Sequence, residues 1–405
     1  MSVLTPIRAL RPAPEAAARV ASVPYDVVNT EEARALAAAQ PLSFLHVTRS
    51  EIDLPPGTNP YDAQVYAQAV RNFEALKRDA PLVIEPEPAL YFYRLRMGAH
   101  EQIGLAGGFS VDEYDRGLIK KHEKTRQDKE DDRTRHILEL RAQTGVVFLT
   151  YRASKTVGAI ARKVCEAAPL YEFTAPDGVS HAIWRVTGYE CRALVEAFAA
   201  LPALYIADGH HRAASASRAR AKVAAGGARA GAADLFIAVA FPDTEMQILP
   251  YNRIVKDLAG ATPADFLAAL GRVVTVSDGA PRPRRAGQVA MYLDGRWHTI
   301  VLAPPPAGTS RADALDVEQL QRQVLGPLLK IGDPRTDKRI DFVGGIRGTA
   351  ELEKAVSGGR AAVAFSMFPV AIADLMAIAD DGGIMPPKST WFEPKLRDGL
   401  LVHLI

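Results

Sequence analysis

The sequence predicts a mixed α/β (α+β) protein of several domains, and three observations carry that prediction. Apolar segments typical of buried strands alternate with helical stretches over residues 110–255. Hairpin patterns stand on both sides of that region, near residues 91–110 and 288–302. The chain has 405 residues, of which 48% are apolar and 24% charged, as is typical of a soluble globular protein of two or three domains.

The N-terminal part of the chain, residues 1–109, is predicted to form an α+β region. Apolar residues at helical spacing indicate helices, and apolar runs before a Pro/Gly loop or a tight turn indicate strands. The predicted elements are helices over residues 31–40 and 61–77, a short strand within residues 41–57, and hairpin strands over residues 91–96 and 102–110.

Residues 110–257 are predicted to form the catalytic core, and residues 258–405 a C-terminal α+β domain. Four apolar segments separated by helical stretches supply the predicted strands of the core: GVVFLTY, HAIWRV, ALYIAD and DLFIAVAF. In the C-terminal domain, Asp294-Gly295 is a hairpin turn, because both residues tolerate a positive φ. A helix is expected over residues 313–329.

Composition disfavours several classes of protein. A net charge of +2, from 49 basic and 47 acidic residues, argues against a surface that coats nucleic acid. Cys165 and Cys191 are too few and too far apart for a disulfide framework or a structural zinc site. The N-terminus lacks the apolar core of a signal peptide, and no apolar run reaches the ~20 residues that span a bilayer. We therefore expect a cytoplasmic protein that binds no membrane, and a homodimer is left open.

One turn between a predicted strand and a predicted helix contains an acid, a glycine, two histidines and an arginine in succession. We call it the DGHHR turn. Its glycine permits a close approach to the backbone, and the first N–H groups of the following helix form an anion site. Its acid can hold Mg²⁺ or orient a histidine, and its arginine suits phosphate. The alternative is a solvated surface turn. The DGHHR turn consists of Asp208, Gly209, His210, His211 and Arg212.

A very polar segment at residues 119–140 supplies a candidate base. Glu123 lies among cations, so its carboxylate should stay ionised and could accept the proton of a hydroxyl group. Lys121 and Arg133 could neutralise the charge of a phosphate. The alternative is a solvated, charged helix.

Two resemblances connect these segments. ADGHHRAASA resembles the ParB/sulfiredoxin-like superfamily, and within it the free-serine kinases, which carry DGHHR and an upstream His-Glu pair. The whole chain is also similar to a bacterial and archaeal family catalogued as a domain of unknown function, through its HEKT, DGHHR, PYNR and MPPKST segments. The resemblance implies a ParB/sulfiredoxin-like core between flanking α+β regions.

The resemblance to the kinases also implies roles for single residues. Glu123 corresponds to the general base that acts on the serine hydroxyl, and Asp208 to the acid near Mg²⁺ or the transferred phosphate. His211 is the third predicted catalytic residue. The gap of 85 positions from Glu123 to Asp208 (208 − 123) and the flanking regions leave the donor open among ATP, ADP and pyrophosphate. The predicted phosphate-binding residues are Gly209, His210, Arg212, Lys121, Thr125 and Arg133.

Outside these motifs, the sequence offers further candidates for substrate contacts. Arg49, at the end of the strand predicted in SFLHVTR, could clamp the carboxylate of an amino acid. Asn252 and Arg253, in PYNR, stand at a predicted strand end beside the core. Tyr25 and Asp26 follow Pro24 and read equally well as a capped proline turn.

The function predicted from the sequence is phosphoryl transfer to the hydroxyl of a small amino acid, most simply L-serine, giving O-phosphoserine. Its partners would be that substrate, the phosphoryl donor and Mg²⁺. Two alternatives stay open: a nucleotide-binding ParB-like regulator without turnover, and a nucleotide or pyrophosphate hydrolase in which water replaces serine.

Overall fold

The computed structural model describes residues 3–227 and 231–405, which fold into two compact units. The first unit comprises the described residues up to Met246 together with Pro394–Ile405, and the second comprises Gln247–Glu393. The chain therefore leaves the first unit once and returns to it for its last twelve residues.

Short strands are distributed over both units, and β1 to β12 with β21 belong to the first. In chain order the strands are β1 Leu4–Thr5, β2 Leu10–Pro12, β3 Leu82–Ile84, β4 Leu90–Met97, β5 His100–Ser110, β6 Ile119–Lys120, β7 Ala142–Gln143, β8 Val147–Tyr151, β9 Tyr171–Thr174, β10 Ser180–Val186, β11 Leu204–Asp208, β12 Leu235–Pro242, β13 Ile248–Leu249, β14 Tyr251–Val255, β15 Thr275–Asp278, β16 Gln288–Leu293, β17 Arg296–Val301, β18 Ile340–Gly344, β19 Val363–Ser366, β20 Trp391–Phe392 and β21 His403–Leu404.

Helices α1 to α9 belong to the first unit and α10 to α13 to the second. Among the described residues, no helix is both long and apolar enough to cross a membrane. In chain order the helices are α1 Pro14–Val20, α2 Thr30–Ala37, α3 Leu45–Thr48, α4 Ala63–Asp79, α5 Val111–Asp115, α6 Gln127–Leu140, α7 Lys155–Cys165, α8 Gly188–Ala199, α9 His210–Ala225, α10 Pro263–Leu270, α11 Asp316–Leu320, α12 Ala350–Ser357 and α13 Ile372–Asp380.

A mixed sheet forms the centre of the first unit. Its strand order is β6-β11-β8-β12-β5-β4-β10-β9, and β1 pairs with β5. β8 runs parallel to β12, whereas β11 runs antiparallel to β8. The register of β11 against β8 shifts between Ile206 and Asp208, and such an irregularity re-aims the side chain at a strand end.

Three apolar clusters lie in the first unit, and the two larger ones join its main elements. The largest one packs the sheet against α8 and α9 and gains the stability of fully buried aromatic and aliphatic side chains. Its members include Phe92, Phe109, Phe198, Ile206 and Phe236. The second cluster joins α4 and α6 to the C-terminal strand and includes Phe44, Phe73, Leu140 and Val402.

The second unit is built on a six-stranded antiparallel sheet of order β15-β17-β16-β19-β14-β18. The hairpin β16–β17 turns at Asp294 and Gly295, whose φ angles of +47° and +78° are those the sequence predicted for this turn. α12 packs its buried Leu352 against the sheet.

The predicted mixed α/β class is confirmed, but the units have other limits than the three predicted regions. Position 110 falls inside the first unit, because β5 and β12, from either side of it, share a ladder in which Phe109 pairs with Phe236. β14, predicted to belong to the core, pairs with β18 and β19 of the second unit. Shifts in composition mark loops, whereas the units are set by which strands pair.

Most predicted elements are present, and the strand within residues 41–57 is wrong. That segment forms α3 and then a single 3₁₀ turn at Ser50–Asp53. Its buried residues Phe44, Leu45, Val47 and Thr48 are spaced as one face of a helix, and a short apolar run does not distinguish helix from strand. Arg49 therefore ends a helical turn rather than a strand.

Candidate functional site

The DGHHR turn joins β11 to α9 as the sequence predicted. Asp208 is the last residue of β11, and His210 is the first of α9. Gly209 between them has φ +93°, a conformation that favours glycine. A Cβ at this position would lie 3.4 Å from Val147 Cα and 3.3 Å from Arg212 Cδ. The chain thus turns sharply, and the unpaired N–H groups of the first turn of α9 begin beside the carboxylate of Asp208.

Asp208 is held by two donors. Its Oδ1 accepts a hydrogen bond of 2.9 Å from Gly209 N, and its Oδ2 accepts one of 2.8 Å from Lys395 Nζ. Burial alone would raise the pKa of the Asp208 carboxyl, but Lys395 and Arg212 outweigh it and hold that pKa far below its ordinary value. Asp208 is therefore an anion throughout the physiological pH range.

Arg212 is anchored inside the first unit rather than pointing into solvent. Its Nη2 donates to both carboxylate oxygens of Asp26 at 2.7 Å, and its Nη1 donates to Val146 O at 2.8 Å. Its guanidinium also lies over the ring of Tyr25, 5.5 Å from the centroid. Tyr25 and Asp26, which the sequence left open between a proline turn and a substrate contact, thus contact Arg212 at this site. The phosphate contact predicted for Arg212 stays a prediction.

His210 connects the turn to the candidate base. Its Nδ1 lies 3.6 Å from Glu123 Oε2, and the Glu123 side chain is 52% exposed. On its other side, Nε2 accepts from His122 N at 3.4 Å, while the rings of His122 and His210 meet edge to face at 4.4 Å. Burial, with His122 beside it, holds the pKa of His210 well below its ordinary value. A neutral His210 that accepts at Nε2 carries its proton on Nδ1, toward Glu123.

His211 holds the same loop at its other end. Its Nε2 accepts a hydrogen bond of 3.0 Å from Arg126 N, and burial lowers the pKa of its imidazole. Adjacent histidines at the start of α9 therefore each accept one backbone N–H from the loop at residues 121–126. This explains two neighbouring imidazoles in chemical terms: only neutral rings can accept these bonds.

The other predicted phosphate-binding residues make contacts of their own around this loop. Lys121 Nζ lies 3.8 Å from the centroid of the Tyr114 ring. The hydroxyl of Thr125 donates to Glu130. Arg133 Nε donates to Asp132 Oδ2 at 2.6 Å, and its guanidinium stacks on Tyr25 at 4.4 Å. Roles for Lys121, Thr125 and Arg133 in binding phosphate stay predictions.

The three substrate contacts predicted from the sequence have protein partners of their own, and their roles in binding substrate stay predictions. Arg49 pairs with Glu51 at 3.0 Å in the first unit, so its guanidinium already binds a carboxylate. Asn252 and Arg253 belong to β14 of the second unit. Asn252 Oδ1 accepts from Met367 N at 3.0 Å, and Arg253 Nη2 donates to Lys388 O at 3.2 Å.

Three side chains of the site were not predicted from the sequence. Lys395 pairs with Asp208, His122 packs on His210, and the carboxyl group of Asp398 is buried beside Arg212 and Asp26. His122 was available as the neighbour of Glu123 in KHEKT. Lys395 and Asp398 come shortly after the MPPKST segment, but they lie almost two hundred positions after the DGHHR turn, and nothing in the sequence joined them to that turn.

The buried carboxyl group of Asp398 leads to a prediction of how the free energy of unfolding depends on pH. Burial, with Asp26 nearby, raises its pKa to about 7 from an ordinary 3.8, although Arg212 opposes the rise. The folded protein therefore binds more protons than the unfolded chain between those values, and its free energy of unfolding falls as the pH rises through that window, by at most about 1.4 kcal/mol per pH unit. We expect Asp398→Asn to remove this component, measured by urea denaturation from about pH 4 to about pH 7. The exposed control Asp381→Asn should keep the parent slope; parallel profiles for Asp398→Asn and parent would contradict the prediction.

The donor set fits Mg²⁺ only when the ion is carried by phosphates. In the described part of the chain, no three His, Cys, Asp or Glu side chains are grouped to hold a metal ion. Asp208 uses two of the ~four lone-pair positions of a carboxylate for Gly209 and Lys395. Mg²⁺ is usually held by one or two carboxylates together with substrate phosphates, so Asp208 suffices as one ligand.

Comparison with known proteins gives low similarity to solved structures. A mutant free serine kinase in complex with AMP aligns at 13% identity and a TM-score of 0.37, over 73% of this chain and 92% of that chain. SbnI with a C-terminal truncation from Staphylococcus aureus aligns at 13% and 0.39, over 74% and 87%. A conserved hypothetical protein from Pyrococcus furiosus aligns at 15% and 0.36, over 74% and 95%. No curated protein matches the chain.

One family model matches most of the chain, from residue 4 to residue 322 of 405. The match covers the loop with Glu123, the DGHHR turn and the PYNR segment, which were three of the segments on which the family resemblance depended. The chain therefore belongs to the family described as protein of unknown function DUF1015.

Proposed function

We propose that this protein is a small-molecule kinase that transfers a phosphoryl group from a nucleotide or pyrophosphate to the hydroxyl of free L-serine. The observation that carries the proposal is the contact of 3.6 Å between the Glu123 carboxylate and His210 at the start of α9. A carboxylate suited to accept a proton thereby lies beside a helix N-terminus suited to bind phosphate. The motif resemblance to free-serine kinases adds the acceptor.

Glu123 is the group that takes the hydroxyl proton. Its carboxylate is half-exposed, so a substrate can reach it, and its neighbour His210 is neutral. The His210 ring lies 3.6 Å from this carboxylate and, being neutral, does not compete as a cation for the proton that Glu123 accepts. The hydroxyl oxygen attacks the terminal phosphorus as its proton passes to Glu123, and the bond from that phosphorus to the leaving oxygen of the donor breaks.

The start of α9 binds the phosphoryl group while it is transferred from the donor to the hydroxyl oxygen. Backbone N–H groups of its first turn and the positive end of its dipole favour the extra negative charge of the transition state. Lys395 neutralises Asp208 and so prevents this carboxylate from repelling the phosphate. Asp208 would hold Mg²⁺ together with the donor phosphates, and the ion would supply charge neutralisation there. His211 keeps the loop of Glu123 in place through Arg126 N.

The direct test incubates the pure full-length protein with Mg²⁺, L-serine and, in turn, ATP, ADP and pyrophosphate, and detects O-phosphoserine by mass spectrometry. We expect O-phosphoserine with at least one donor and none without serine. Phosphate release that does not require serine would support the hydrolase instead, because the exposed Glu123 could equally activate water. Nucleotide binding without any turnover would support the regulator.

Asp208→Asn tests the predicted Mg²⁺ ligand. Loss of the carboxylate charge should raise the Mg²⁺ concentration that gives half-maximal activity by roughly tenfold, because an amide oxygen binds this hard cation more weakly. The measurement is a Mg²⁺ titration of phosphoserine formation at saturating donor. Asp112→Asn, a change at a partly exposed position on α5, serves as the control and should titrate like the parent. Superimposable titrations for Asp208→Asn and parent would remove Asp208 from the metal site.

A further inference from the structure

A cavity of about 360 Å³ within the second unit unites segments to which the proposed function gives no role. Arg253 from PYNR and Pro386-Pro387 from MPPKST line it, together with Asp333 and Arg335 of the charged DPRTDKR segment. Its volume lies in the range of small-molecule sites. The PYNR and MPPKST segments, more than a hundred positions apart in the sequence, thus line the same cavity.

Arg253 brings an uncompensated positive charge to this cavity. The residue is only 3% exposed, and its guanidinium donates to two backbone carbonyls, Tyr251 O and Lys388 O. Among the described residues, no carboxylate forms an ion pair with it, and burial lowers its pKa to about 10. Because a buried cation without a counter-ion is costly, an anion in the cavity would stabilise it.

Gln321 contributes a hydrogen-bond acceptor with a defined direction. Its Nε2 donates to Ile331 O at 2.8 Å and to Gly332 O at 3.0 Å, which fixes the amide so that Oε1 points the other way. This Oε1 is buried and has no partner within the described ranges. Gln321 also begins a π-helical turn, Gln321–Leu325, where the sequence predicted continuous α-helix, and such turns are frequent at functional sites.

We propose that this cavity binds a small amino acid, with the carboxylate of the ligand on Arg253 and its ammonium group donating to Gln321. Glu318 supports this assignment. It lines the cavity, and its carboxylate accepts a hydrogen bond of 2.8 Å from Arg322, which leaves further lone pairs for an ammonium group. Val317 and Leu325 provide apolar surface for the side chain of the ligand.

The charges of the cavity favour a zwitterion over a phosphate. Asp333 pairs with Arg335 and Glu318 pairs with Arg322, whereas Arg253 has no carboxylate partner among the described residues, so the single carboxylate of an amino acid balances the charge of Arg253. A phosphate dianion would meet both carboxylates without satisfying Gln321 Oε1 through an N–H donor. This inference does not depend on the kinase proposal, because every residue that carries it belongs to the second unit.

The test screens the full-length protein against the twenty common L-amino acids and inorganic phosphate by isothermal titration calorimetry, without a phosphoryl donor. We expect at least one amino acid to bind with a Kd below ~1 mM. Arg253→Gln should weaken that binding by at least ~10-fold, since it removes a charge-assisted hydrogen bond. Glu318→Gln, at a partly exposed position, should weaken it by ~3-fold or more. Glu351→Gln, outside the cavity, is the matched control and should bind like the parent.

Several outcomes would overturn the assignment. It fails if no amino acid binds, if phosphate binds in their place, or if Arg253→Gln and Glu318→Gln both bind like the parent. Amino acid binding that is lost only in Glu123→Gln would place the ligand in the first unit and also overturn it. If Arg253→Gln does not fold, Glu318→Gln decides the question alone, and a failure of the kinase assay leaves the calorimetry unaffected.

Discussion

Glu123→Gln should lower the turnover of phosphoserine formation by about 10²–10⁴-fold and leave the free energy of unfolding nearly unchanged. The amide keeps the size and the exposed position of the side chain but cannot accept the hydroxyl proton, and removal of a general base costs that much. Because 52% of the side chain is exposed and its contact with His210 is 3.6 Å long, little folding energy depends on it. The measurements are steady-state kinetics with the best donor and urea denaturation.

Two controls separate a catalytic effect from a general one. Glu87→Gln, an exposed substitution far along the chain from the DGHHR turn, should match the parent in both measurements. KM for the donor should change much less than kcat in Glu123→Gln, because the phosphates are bound by the start of α9. Unchanged turnover in Glu123→Gln would remove this residue from the mechanism.

Arg212→Met should lower the free energy of unfolding by about 2–4 kcal/mol, because the guanidinium is buried and joins three elements of the first unit. The change leaves Val146 O without its donor and removes the Nη2 group that donates to both carboxylate oxygens of Asp26. Asp26 is 37% exposed and can regain water, so the loss is smaller than for a fully buried pair. Urea denaturation followed by circular dichroism measures it.

Arg218→Met is the matched control for Arg212→Met. It lies on the same helix, and its pairs with Glu130 and Asp131 are nearer the surface, so we expect a loss below about 1 kcal/mol. Equal losses in the two variants would show that the Arg212–Asp26 pair stabilises the fold no more than the pairs of Arg218 nearer the surface. Asp26→Asn should fall between them, since the amide oxygen can still accept one of the two hydrogen bonds.

Local patterns predicted the framework that presents the site. The apolar run ending at Asp208 had to be a buried strand, and Gly209 followed by Ala- and Ser-rich sequence had to turn into a helix. The hairpin β4–β5 and the turn at Asp294-Gly295 were equally legible, because backbone preferences of a few residues decide such turns. The strand predicted over Phe44 to Thr48 was wrong, since so short an apolar run does not distinguish a helix from a strand.

Contacts across long separations were beyond such patterns. Nothing near Asp208 announces Lys395, and nothing near Arg212 announces Asp26, yet these partners decide which charges remain available for a ligand. The motif predicted a phosphate contact for Arg212, which stays a prediction, and no pattern predicted that its guanidinium also binds the carboxylate of Asp26. The two histidines were read as phosphate or catalytic groups, and their bonds to His122 N and Arg126 N show that they also hold the loop of Glu123.

By itself, the sequence determined most of the elements, the left-handed turn at Gly209 and the types of chemical group between β11 and α9, because these follow from the preferences of neighbouring residues. Only the tertiary structure decided that Glu123 meets His210, that Lys395 neutralises Asp208 and that PYNR belongs to the second unit. The physical reason is that ion pairs and strand pairing depend on distance in space, and a chain of this length can close many loops at similar entropic cost.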